Sequence, residues 1–88
     1  MKLGVVLPHN EIGSDPAKIR DFALGIEDLG ADHLLVYDHV LGADPDRPGG
    51  WRGMYDSNVA FHEPLTFLSF IAGITKTLEL VTTVMILP

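Results

Sequence analysis

The sequence predicts an α/β fold with parallel strands, in the order strand–helix–strand–helix–strand. Three observations lead there. Three apolar runs are rich in Val, Ile, Leu and Thr and show little in/out alternation, as in strands of parallel sheets. Two segments of helical periodicity separate them, and strands that alternate with helices imply right-handed crossovers between parallel neighbours. A long Gly/Pro-containing connection leaves the C-terminal end of the second strand, where α/β folds place their ligands.

The first strand is expected over residues 3–7 (LGVVL). The first helix follows, with Asp15 as cap and Pro16 at the favoured first helical position. Ile19, Phe22, Ala23, Ile26 and Leu29 keep helical spacing, and Gly30 terminates it. Gly25 interrupts this helix at a cost of ~1 kcal/mol against Ala, which predicts close packing against a strand. The second strand is residues 34–37 (LLVY), and it stops abruptly at Asp38-His39.

The connection from Val40 to Glu63 contains Gly42, Pro45, Pro48, Gly49, Gly50 and Gly53. Loops of that length are usually functional or mobile. The second helix is expected from Pro64 to about Thr77. Leu65, Phe67, Leu68, Phe70, Ile71, Ala72 and Ile74 cover an arc roughly twice the ~100° stripe that a helix on one sheet needs. The surplus face must meet more of the same fold or another subunit. The third strand is expected over residues 80–87 (LVTTVMIL).

Three parallel strands cannot close a barrel, and an open sheet of three leaves its edges unpaired. The 88 residues are therefore expected to be the N-terminal part of a larger fold, or a piece completed by other chains.

Composition narrows the function classes. Twelve acidic residues against six basic ones give a net charge of −6, and no Lys/Arg cluster exists, which argues against a nucleic-acid interface. The absence of cysteine removes disulfides and thiolate metal sites and fits the cytoplasm. No run approaches the ~18 apolar residues of a membrane span. No charged-then-apolar leader precedes the first strand.

The linker after the first strand reads PHNEIGSDP, without the G-x-G-x-x-G of a dinucleotide site. His9, His33, His39 and His62 form no H-x-H or H-E-x-x-H pairing, so no metal site is assigned and a metal-dependent barrel hydrolase stays an alternative. Asp38-His39 is the best polar pair: a histidine at a strand's C-terminal end can act as general acid or base near neutral pH, with an aspartate tuning it. The other reading is an ordinary polar strand end. If the strand continued through them, the two side chains would point in opposite directions, one into a site and one bracing the loop. Trp51, Tyr55 and Phe61 dot the long loop, to cover a flat aromatic ligand or to anchor the loop.

The opening KLGVVLP, the stretch EDLGADHLLVYDHV and the block HEPLTFLSFIAGITKTLELVTTVMILP resemble the start of luciferase-like monooxygenases, the bacterial luciferase superfamily of flavin and deazaflavin oxidoreductases. The branch dependent on coenzyme F420 is the nearest in pattern. The resemblance implies a (β/α)₈ TIM barrel of ~250 residues or more, to which this chain supplies the first three strands and two helices. It implies hydride transfer between a small-molecule substrate and F420, with FMN the alternative cofactor. Asp38 and His39 would lie by the cofactor ring, His39 as the proton-transfer residue and Asp38 orienting the ring or tuning His39. Thr83 and Val84 would buttress the ring through a bulge with a non-prolyl cis peptide, and Trp51 would cover the site. The helix from Pro64 to Thr77 would form a homodimer interface. The cofactor-binding segments that follow the third strand in the family have no counterpart here, so the 88 residues alone are expected to be inactive. The opposing reading is a non-catalytic barrel fragment that self-associates.

Overall fold

The computed structural model of the chain describes residues 1–39, 42–53 and 55–86. Six elements are present: β1 (Gly4–Val6), α1 (His9–Ile12), α2 (Pro16–Asp28), β2 (His33–Tyr37), α3 (Pro64–Ile74) and β3 (Glu79–Val84). The strands form one parallel sheet in the order β1-β2-β3. Val5 pairs with Leu34, and Leu34 with Leu80. This is the (βα)₂β start of a TIM barrel, with one short additional helix, α1.

The helices begin where the sequence places them. The Asp15 side chain accepts the Ala17 N–H at 2.9 Å, ahead of Pro16. At α3, Glu63 is the cap, its two carboxylate oxygens accepting the N–H groups of Leu65 and Thr66 at 3.1 and 2.7 Å. Helix α3 ends at Ile74, three residues short of Thr77. Thr75 is extended (φ −106°, ψ 162°), and its hydroxyl returns to the Ile71 carbonyl. The N–H groups of Lys76, Thr77 and Leu78 are bonded to Glu27 on α2, which leaves none of them for a further helical turn.

The first strand is shorter than expected, but its flanks are pinned. The Leu7 N–H donates to the Leu35 carbonyl and the Leu3 N–H to the Asp32 carboxylate. The third strand ends at Val84. Leu87, its expected end, lies outside the described residues, as do Val40 and Leu41 at the start of the long connection.

Leu7, just after β1, with Leu34 and Val36 of β2, meets Ile19 and Ala23 of α2, Phe67, Leu68 and Ile71 of α3, and Leu78 in one core. Both long helices thus serve one core cluster. In β2 buried and half-buried residues alternate, so burial on both faces is not what these residues show. The expectation for Gly25 also fails: a Cβ there would meet nothing within 4 Å. The wide apolar arc of α3 is split, with Phe67, Leu68 and Ile71 buried while Leu65 and Phe70 are 55% and 41% exposed. No described helix is long and apolar enough to cross a membrane.

Candidate functional site

The C-terminal ends of the three strands converge on one region. Beyond β2, the Asp38 N–H donates to the Val84 carbonyl at 3.1 Å, and the Asp38 carboxylate accepts the Ile86 N–H at 3.1 Å. Asp38 thereby fastens the chain beyond β3 to the end of β2. Among the described residues His39 makes no such backbone bond. Its ring lies 5.0 Å from Phe61 and 5.4 Å from Tyr55, centroid to centroid. The adjacent pair thus divides its work, one side chain bracing the strand ends and the other turned to aromatic neighbours. Among the described residues no hydrogen bond joins them.

Asp38 and His39, with Phe61, His62 and Glu63, line a cavity of about 180 Å³. A larger groove of about 370 Å³ lies between the starts of α2 and α3, lined by residues that include Ile19, Phe67 and Phe70. The groove is more apolar and lacks the strand-end pair.

Behind that cavity sits His9, which the sequence reading placed after β1 without a role. It is 1% exposed, and among the described residues neither ring nitrogen has a hydrogen-bond partner. Burial pushes its pKa down, and the neighbouring His62 adds to the effect. The Tyr37 backbone opposes both weakly without completing a bond to the ring. His9 is therefore a neutral imidazole at pH 7. His62 is fixed differently: its Nε2 lies 3.0 Å from the Gly13 carbonyl, which can only accept, so Nε2 carries the proton.

Tyr37, the last residue of β2, shares a 3.3 Å hydrogen bond between hydroxyls with Tyr55. That bond, together with burial and the Tyr55 charge, raises the Tyr37 phenol to about 12. Glu63 is held below the usual carboxylate range by the Thr66 hydroxyl and the N–H groups it caps. One acidic cap, a neutral histidine and the protonated Tyr37 phenol thus surround the strand ends at neutral pH.

Thr83 lies at a shift in register: Val36 pairs with Thr82 and Tyr37 with Val84, so Thr83 is the extra residue of a bulge. The bulge falls where the resemblance put it. The cis peptide does not: among the described residues every peptide bond is trans, Thr83–Val84 included. Trp51 lies outside the cavity. Its Nε1 donates to the Tyr55 carbonyl at 2.8 Å and its ring covers Gly53, so it ties its own loop together. Among the described residues no three His, Asp or Glu side chains converge as a metal-ligand set.

Tyr55, Phe61 and His62 join Asp38 and His39 only through the folding of the long connection, whereas Tyr37 ends β2 and His9 follows β1. The sequence signal available was positional: His9 and His39 both follow strands, at the same end of the sheet.

An acid–histidine pair and aromatic rings at the strand C-termini mark the ligand-binding end of an α/β barrel arc. The chain belongs to the luciferase-like monooxygenases, whose family pattern it matches over residues 1–88. No curated protein and no solved structure matches it. The family is one of oxidoreductases that use flavin or F420 cofactors. The residues present fit the flat ring of such a group. They offer aromatic faces beside His39 and, in His9, buried ring nitrogens without a partner among the described residues.

Proposed function

We propose that residues 1–88 form the N-terminal part of an F420-dependent oxidoreductase acting on a small organic substrate in the cytoplasm. The supporting observation is the division of labour at the end of β2. Asp38 is fastened to Ile86, while His39 faces the cavity. His39 would move the proton, and Asp38 would orient the ring and hold the strand ends in place. Thr83 and Val84, at the bulge beside Tyr37, would support the ring, and Trp51 would cover it if the loop closes inward. When bound, the deazaflavin supplies hydride transfer; FMN, the alternative, also supplies oxygen chemistry. Preference for F420 rests on the sequence blocks around Asp38-His39 and Pro64.

Turnover would belong to the closed barrel, since among the described residues β1 and β3 each leave an edge unpaired. In the complete barrel, His39→Ala is expected to cut turnover by about 10²- to 10⁴-fold while the melting temperature holds. A variant that melts early yet keeps its activity per folded molecule removes His39 from the mechanism.

A second reading, a self-associating module without catalysis, is favoured by the exposed Leu65 and Phe70 on α3. Tight, stoichiometric quenching of F420 fluorescence by the 88-residue chain would exclude it. The same titration with FMN ranks the two cofactors. In either reading α3 would carry the homodimer contact.

A further inference from the structure

Phe61 is the ring on which the site's other rings converge. It stacks on His9 with centroids 4.7 Å apart and planes 29° from parallel. It meets Tyr37 and Tyr55 edge-to-face at 5.7 and 5.0 Å, and lies 5.0 Å from His39 at a tilt of 42°. The Tyr37–Tyr55 hydroxyl bond closes the cage around it. These four walls come from the segment after β1, the end of β2 and the long connection.

The occupant fits the cage in shape but not in polarity. A phenyl ring has no donor or acceptor, yet it stacks on His9, whose two ring nitrogens are buried without a partner among the described residues. Buried polar atoms left unpaired raise the energy of the arrangement that buries them. Phe61 is also lightly held. It belongs to no helix or strand, and among the described residues its backbone makes no hydrogen bond. Its ring can leave without breaking the sheet or α3.

We propose that His9, Tyr37, His39 and Tyr55 are the seat of a flat heteroaromatic ring with polar atoms on its edge, and that Phe61 occupies this seat in the free chain as an internal stand-in. The proposal rests on the reading of the strand ends as a ring-binding site and assigns that site three further walls and a displaceable occupant. Binding then competes with Phe61, and the apparent affinity is lowered by the fraction of molecules in which the seat is filled. Departure of Phe61 also exposes His9, so that water or the edge of the ligand can reach its nitrogens.

Riboflavin, a flat heteroaromatic ring without phosphate, is the probe, and quenching of its fluorescence by the 88-residue chain is the readout. Phe61→Ala empties the seat and is expected to tighten binding about fivefold, the worth of the aromatic contacts released. Phe61→Leu, which keeps apolar bulk for folding, tightens it less. In the Phe61→Leu background, Tyr55→Leu removes a wall and reverses the gain. The His9 ring nitrogens, followed by NMR, should shift on riboflavin binding. Equal or weaker binding by both Phe61 variants makes Phe61 a wall and overturns the proposal. If the unaltered chain binds riboflavin and loses it on His39→Ala, the ring-binding reading survives that result. If neither the unaltered chain nor either Phe61 variant binds, the proposal falls, whereas the ring-binding reading falls only if His39→Ala leaves the complete barrel's activity unchanged.

Discussion

Oε2 of Glu27 accepts both the backbone N–H and the hydroxyl of Thr77, at 2.8 and 3.4 Å. The same oxygen takes the N–H groups of Lys76 and Leu78. One carboxylate at the end of α2 therefore ends α3 and aims the chain into β3. The Thr77 and Lys76 N–H groups are the main cause that holds the Glu27 carboxyl below its ordinary value of 4.5. A depressed folded-state pKa contributes stability above the unfolded value, and that stability is lost as pH falls through the folded one. Glu27→Ala should lower the melting temperature at pH 7, and the gap to the unaltered chain should close as pH falls below 4.5. A gap independent of pH would mean that the charge is not what joins α2 to β3.

Gly25 lies inside α2 with open space where a Cβ would point. A glycine that no neighbour requires only costs helix stability. Gly25→Ala is expected to raise unfolding free energy by up to ~1 kcal/mol, read as a higher urea midpoint at unchanged slope. A lower midpoint would show a contact that residues 1–88 do not display.

Strands and helix starts were legible because their signals are local. Apolar runs give Leu34 and Val36, and Asp15, Pro16 and Pro64 announce the helices. The end of α3 was not legible, since Glu27, distant in sequence, takes the N–H groups that would have continued the helix. Helix α1, four residues long, has no room for periodicity. Asp38-His39 could be found from its position at a strand end. His9 and Phe61 could not be paired, because their stacking depends on how the loop returns, and nothing in a run of sequence encodes that.

The Tyr37–Tyr55 bond makes a prediction in alkaline solution. Tyr37 is raised to about 12 chiefly because its hydroxyl bonds to that of Tyr55. Tyr55→Phe removes the partner, so the Tyr37 phenolate should form nearer its ordinary 10.0, seen by phenolate absorbance during titration. A raised phenol contributes stability below the unfolded value of 10.0, lost as pH climbs toward 12. The unaltered chain should therefore lose stability across that window, and Tyr55→Phe should lose less there. An unchanged Tyr37 midpoint in the Tyr55→Phe variant would show that burial, not the bond to Tyr55, sets Tyr37.

The outer face of α3 provides the last test. Leu65 and Phe70 stand exposed beside the buried Phe67 and Ile71, on a helix that carries no charge between Pro64 and Ile74. Exposed apolar side chains grouped on one helix face gain by being covered, at about 25 cal/mol per Å² removed from water. If a second copy covers them, sedimentation should show association that strengthens with concentration. Leu65→Lys together with Phe70→Lys should weaken that association by at least about tenfold, since each places a charge in an interface centre where apolar anchors carry the binding. Circular dichroism should stay unchanged, because neither side chain belongs to the core. A chain that sediments as a monomer at all concentrations would assign this face to later helices of the same barrel, which the double substitution would then destabilise only in the complete protein.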